Sequence, residues 1–82
     1  MDKIKVKVNA KTGTIWEGEG DSCSLINHIG PFDVLSEHTQ FVTPIQDNIV
    51  VRSNNRIVWE YKLAESSLCR IKSNLVEIWV GV

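Results

Sequence analysis

The feature that most constrains this chain is the alternation of apolar and polar residues at every second position. Near the start, Ile4, Val6 and Val8 alternate with three lysines, and the segment 56–63 repeats the pattern around Trp59. A period of two places successive side chains on opposite faces of a strand, whereas the spacing typical of an amphipathic helix is nearly missing. The sequence therefore predicts a chain that is mostly β.

Turn residues divide the alternating segments into short strands. Asn, Ser and Gly cluster at 9–13, 53–55 and 73–74, where they favour tight turns. Pro44 lacks a backbone N–H for a ladder and predicts an edge or bulge position, while the stretch from His28 to about Glu37 looks irregular. Many short strands at this spacing predict a small antiparallel β-sandwich of about 8–10 strands, and we expect residues 1–82 to form a single domain.

Length and charge exclude several classes of protein. The 82 residues carry a formal net charge of -1, which gives none of the positive surface that nucleic-acid binding requires. No apolar run approaches the roughly 20 residues that cross a bilayer, and the first residues lack the apolar core of a secretory signal. We expect a cytoplasmic protein that neither binds nucleic acid nor inserts into the membrane.

The cysteines and histidines do not form a ligand pattern. Cys23 and Cys69 lie far apart in strand-like segments, which favours free buried thiols over a disulfide in the cytoplasm. Together with His28 and His38 they show no paired spacing of the kind that zinc sites use. The sequence predicts neither a metal nor a cofactor.

A cluster of Asp33, Ser36 and His38, with Ser22 as another candidate nucleophile, has the residue types of a catalytic triad. The strand-turn-helix elbow that exposes a nucleophilic serine in hydrolases is missing around these serines. The chain is therefore predicted not to be an enzyme, and a small hydrolase is only a third hypothesis.

The large aromatic residues are candidates for the core or for an interface. Trp59 is predicted to pack in the core. If Ile15 points inward, its neighbour Trp16 is exposed and becomes a candidate interface aromatic. His38 fits equally well a backbone-bonded loop residue or a partner contact.

One segment resembles a known family. The residues G-P-F-D-V-L-S-E-H-T-Q-F-V-T at 30–43 are similar to the loop-strand signature of the epsilon subunit of rotary (F-type) ATP synthase, and the Gly, aromatic, Val-Leu, His and Thr positions match. The similarity extends to 14–19, 21–25, 64–71 and 73–76. Departures from the family pattern are found at Asp33, Ser36-Glu37, Gln40 and Ser66-Ser67.

The resemblance implies the N-terminal β-sandwich domain of that subunit without its C-terminal helical hairpin, so regulation and ATP binding by the hairpin would be lost. It implies a non-catalytic rotor subunit of the central stalk that couples the gamma subunit to the c-ring, peripheral at the inner face of the membrane. The positions matching the gamma-facing side are His28, His38 and Thr43, and those matching the c-ring contact are Ile29, Gly30, Pro31 and Phe32.

The departures from the family pattern support an alternative. A stand-alone epsilon-like module would keep the sandwich and bind a different protein partner through its altered surface.

Overall fold

The computed structural model describes residues 3–36 and 40–81, within which the regular structure consists of eight strands and no helix. The strands are β1 (Ile4–Ala10), β2 (Gly13–Gly20), β3 (Ser22–Ile26), β4 (Pro31–Val34), β5 (Phe41–Ser53), β6 (Arg56–Lys62), β7 (Ser67–Lys72) and β8 (Leu75–Val80).

The strands form two sheets that share β5. The first sheet has the order β2-β1-β8-β7-β5, and the second has the order β4-β3-β5-β6. The first part of β5, 41–45, pairs with β7, whereas the rest of the strand pairs with β3 and β6. A strand that passes from one sheet to the other makes the corner of a sandwich. The prediction of an all-β sandwich is confirmed.

The corner lies in the middle of β5. Asp47 has a positive φ of 69°, and its carbonyl oxygen accepts a hydrogen bond from the Leu63 backbone N–H at 2.7 Å. Pro44 lies just before the corner, where β7 is the strand that pairs with β5 among the described residues. No other described strand pairs with residues 41–45, so Pro44 lies at an edge of the first sheet, as the sequence predicted.

The inner faces of the two sheets bury the alternating apolar residues. β1 illustrates the pattern, because Ile4, Val6 and Val8 are fully buried while Lys5 is exposed. The buried cluster consists of Ile4, Val6, Val8, Cys23, Leu25, Val34, Ile45, Ile49, Val51, Leu63, Cys69, Ile71, Val76 and Ile78.

Three features of the sheets differ from the sequence-based expectation. β4 lies in the stretch expected to be irregular, because its order comes from pairing with β3 and not from a local pattern. β5 is one continuous strand of 13 residues, whereas the sequence predicted short strands throughout. β1 and β8 run parallel, although the other described pairs are antiparallel.

Ile57 does not lie on the same face as Trp59, although the alternation across 56–63 predicts that it does. Trp59 faces Val51 across the β5–β6 ladder, but Ile57 faces Arg52, so Val58 is an extra residue in β6. This bulge reverses the alternation, and the Ile57 side chain is 54% exposed.

Candidate protein-interaction surface

The turn between β3 and β4 is held by its own backbone and by one side chain. The N–H groups of Asn27 and Gly30 each donate to the other's carbonyl oxygen at 3.1 Å. The Asn27 Oδ1 atom also accepts hydrogen bonds from the N–H of Ile29 at 3.0 Å and of Gly30 at 3.2 Å. Gly30 has a φ of 142°, a value that L side chains rarely adopt. The tip of this hairpin, His28-Ile29, is therefore fixed in position.

An apolar surface surrounds the tip. The Ile29 side chain is 84% exposed and Pro31 is exposed beside it. Phe32 and Phe41 are half-buried, with ring centroids 6.0 Å apart and planes tilted by 52°. These four residues, here named the hairpin patch, line a shallow depression. Exposed apolar side chains grouped with aromatics are typical of protein-binding surfaces.

Most residues expected to contact the c-ring thus come together in the structure. Ile29, Pro31 and Phe32 form three-quarters of the hairpin patch, and Gly30 shapes the turn that presents them.

The residues expected on the gamma-facing side are distributed differently. His28 is exposed at the tip of the hairpin, and His38 lies outside the described residues. Thr43 is only 6% exposed, so little of its side chain is available to a partner. Its Oγ1 atom accepts a hydrogen bond from Asn27 Nδ2 at 3.2 Å and donates to the Pro44 carbonyl oxygen at 3.0 Å. Thr43 instead ties the hairpin turn to β5.

A chain of hydrogen bonds crosses the outer face of the second sheet next to the hairpin. Arg52 Nη1 donates to Ser24 Oγ at 2.7 Å, and Ser24 Oγ donates to Asp33 Oδ1 at 2.7 Å. Asp33, which departs from the family pattern, therefore links β4 to β3 and β5. This bonding gives the carboxylate a structural role that the triad hypothesis did not foresee.

Trp16 is not the exposed aromatic that was expected. Its side chain is half-buried and packs against the core, whereas Ile15 is 37% exposed. The Trp16 ring stacks on Trp59 with centroids 4.7 Å apart, and Trp59 stacks on Tyr61 at 5.4 Å. This row of rings joins β2 to β6, the edge strands of the two sheets. The predicted packing of Trp59 against the core is confirmed.

The two cysteines are free thiols in the core, as predicted. Burial raises the pKa of the Cys69 thiol to about 12. Burial is also the main reason that the pKa of Cys23 is raised, and negative charge on Cys69 or Asp33 adds to it. Thiols with pKa values this high stay protonated at neutral pH and are poor nucleophiles and metal ligands.

Within 3–36 and 40–81, no three His, Cys, Asp or Glu side chains come close enough to hold a metal ion. The same part of the chain contains no helix that is long and apolar enough to span a membrane.

Two residues of this surface were missed by the sequence analysis. The Asn27-x-x-Gly30 spacing was a usable signal, because an Asn side chain that caps a turn before a glycine is common in hairpins. Phe41 gave no such signal, since it reaches Phe32 only through the non-local pairing of β5.

Comparison with known proteins supports the class of fold. No protein-family model and no curated protein sequence matches the chain. Among solved structures, the chain is similar to one in the cryo-EM structure of the central stalk and c-ring of the mitochondrial ATP synthase from Tetrahymena thermophila. The TM-score is 0.76 at 9% sequence identity, over 96% of this chain and 63% of that one. The fold is therefore a small β-sandwich that also occurs in that chain, and this protein spans less than two-thirds of its length.

Proposed function

We propose that this protein is a non-catalytic subunit of the central stalk of a rotary ATP synthase, located between the gamma subunit and the c-ring. The observation that carries the proposal is the match of fold over 96% of the chain to a chain of a central stalk and c-ring. The resemblance of residues 30–43 to the epsilon signature also supports the proposal, because it comes from the sequence and not from the fold. The same residues include β4, which forms one side of the hairpin.

The hairpin patch is the proposed contact with the c-ring. A protruding isoleucine on a rigid turn loses little conformational entropy on binding, and it buries most of its apolar surface. The neighbouring carboxylate of Asp33 already accepts a hydrogen bond from Ser24, so one of its oxygen atoms keeps a partner when the patch is covered. His28, on the same tip, is the proposed gamma-side contact that remains exposed.

The test measures binding to the two partners separately. The protein is mixed with the purified gamma subunit, or with purified c-ring in lipid nanodiscs, both from the same organism. We expect complexes with both partners, and we expect Ile29→Asp to weaken c-ring binding at least about tenfold while gamma binding is retained.

Ile57→Asp is the matched control. It places the same charge on another exposed isoleucine, at the end of the second sheet opposite the hairpin, and should leave both affinities unchanged. Equal loss with both variants would contradict the assignment of the hairpin patch. Failure of the unmodified protein to bind either partner would overturn the synthase role and favour a stand-alone module with another partner.

A further inference from the structure

The outer face of the first sheet carries charges that alternate in sign from strand to strand. One row of facing residues runs Glu17, Lys7, Glu77 and Arg70 across β2, β1, β8 and β7. Arg70 Nε lies 3.6 Å from Glu77 Oε1, and Lys5 Nζ lies 3.4 Å from Glu17 Oε2. Such opposite charges on neighbouring strands stabilise the sheet itself.

Two further rows flank the charged one. On one side the row runs Glu19, Lys5, Leu75 and Lys72 over the same four strands. On the other side it runs Thr14, Asn9, Trp79 and Leu68. The side chains of Leu68, Leu75 and Trp79 are half-buried and lie outside the core cluster. The face therefore offers apolar area on both sides of a charged centre.

We propose that this face binds a second copy of the chain, with a two-fold axis that runs parallel to the strands between β1 and β8. The axis lies in the plane of contact and reverses the order of the strands in the second copy. Lys7 then faces Glu77 of the second copy, and Glu17 faces Arg70 of the second copy. An isologous interface repeats each contact, so the row supplies four pairings of opposite charge.

The flanking row that contains Glu19 and Lys72 is also complementary under this two-fold symmetry. Glu19 faces Lys72 of the second copy, and Lys5 faces the uncharged Leu75, so none of these rows brings like charges together. Glu19 and Lys72 lie on β2 and β7, which are separated by two strands and do not pair within one chain. Stabilisation of the single sheet does not account for that match, whereas a self-complementary interface does.

The association should be weak and sensitive to salt. The molecule measures 33 × 24 × 19 Å, so one face buries less than the ~800 Å² per partner of a standard interface. The free-energy cost of removing water from the charged groups at the centre offsets most of their attraction. We therefore expect a dissociation constant that is about micromolar or weaker. At about 1 M salt, where the screening length is about 3 Å, the dimer should dissociate.

The decisive experiment mixes two single variants. In Lys7→Glu, the new carboxylate would face Glu77 of the second copy. In Glu77→Lys, the new lysine would face Lys7 of the second copy. Each variant alone should therefore be monomeric. Mixed in equal amounts, the two variants restore both pairings and should form a heterodimer, measured by sedimentation velocity. The like charges within each variant chain remain, so only contacts between chains can explain association of the mixture.

A second pair of variants controls for net charge. Lys62→Glu and Glu60→Lys change the formal charges by the same amounts on exposed residues of β6 in the second sheet. Their mixture should not associate beyond the unmodified protein. Three results would overturn the proposal. They are equal association of both mixtures, no association of the Lys7→Glu and Glu77→Lys mixture, and an unmodified protein that stays monomeric up to about 1 mM. If either variant fails to fold by circular dichroism, Glu17→Lys mixed with Arg70→Glu makes the same test.

Discussion

At the scale of single residues, two glycines of β2 are required for two different reasons. A Cβ atom on Gly20 would lie 2.7 Å from the carbonyl oxygen of Arg52, where Asp21 N–H donates a 2.8 Å hydrogen bond to that same oxygen. A Cβ atom on Gly18 would lie 2.5 Å from Cζ2 of Trp16, which covers this position. One glycine lets the two sheets approach each other, and the other leaves room for an indole.

Gly20→Ala should therefore lower the free energy of unfolding by about 1–3 kcal/mol, since backbone atoms must shift. Gly18→Ala should cost less, because the Trp16 side chain can move, but it should weaken the far-ultraviolet exciton signal of the stacked Trp16 and Trp59 rings. Urea denaturation and circular dichroism measure the two effects. A normal exciton signal in Gly18→Ala would contradict the packing of Trp16 over that glycine.

The hydrogen bonds around Asp21 favour the charged form of its carboxylate. A hydrogen bond from the Asn54 backbone N–H and one from Lys3, both 2.7 Å, hold the pKa of Asp21 below its usual value. Because the pKa is lower in the folded state, the carboxylate contributes stability above the usual pKa of 3.8, and this contribution is lost as the pH falls through the folded-state value. Carboxyl NMR titration should find the lowered pKa.

Asp21→Asn is the matched variant, because it keeps an acceptor for Asn54 and removes the charge. Its stability should change less steeply with pH below about pH 4 than that of the unmodified protein. Identical pH profiles of the two proteins would show that the charge of Asp21 contributes nothing.

At the scale of elements, the corner of β5 depends on the left-handed backbone of Asp47. Asp47→Val is expected to destabilise the protein by about 1–2 kcal/mol, since β-branched residues fit that conformation poorly. Asp47→Gly should be neutral or stabilising by up to about 1 kcal/mol. Gln46→Val, at the neighbouring exposed position, controls for the added apolar surface, and urea denaturation measures all three. Equal stability of Asp47→Val and Asp47→Gly would contradict the role of the bend.

Sequence alternation predicted the strands whose order is local, and it failed where a strand contains an extra residue. The ladder of β1 and β2 skips Ile15, and the ladder of β5 and β6 skips Val58. In β6 the bulge reverses the phase of the pattern, which explains why Ile57 does not share the inner face of Trp59. In β2 the alternation from Ile15 to Gly20 is regular, and the expectation for Trp16 was wrong because Ile15 faces outward with Glu17 and Glu19. The alternation of apolar and polar residues does not indicate where a bulge occurs.

The candidate surface was partly predictable for a different reason. The loop 29–32 was located through the family resemblance, not through residue patterns, and His28, Gly30 and Pro31 made the segment that contains β4 look irregular. Thr43 matches a position of the family signature, but only the structure reveals that its side chain is buried. Burial of a threonine depends on which strand covers it, and that information is non-local.

At the scale of the whole molecule, one core is shared by both sheets, so a destabilising substitution in the core should destabilise both sheets together. Ile78→Ala removes a fully buried side chain and should lower the free energy of unfolding by about 2–5 kcal/mol, a large part of what a domain of this size has. Ile57→Ala, at an exposed position, should change it by less than about 0.5 kcal/mol.

Fluorescence of the tryptophans and far-ultraviolet circular dichroism should report the same midpoint for Ile78→Ala. Transitions that separate between the two probes would show that the sheets unfold independently, contrary to a shared core.

The parallel pairing of β1 with β8 has a mechanical consequence. Force applied through Lys3 and Gly81 pulls these two strands past each other, so the hydrogen bonds between them are loaded together. Force applied through Lys3 and Asp21 instead peels β2 from β1 at the end where Ile4 faces Gly20, and the bonds break one after another. In single-molecule pulling, the first attachment should therefore rupture at the higher force. We therefore expect the fold to resist tension along its strands better than tension across them.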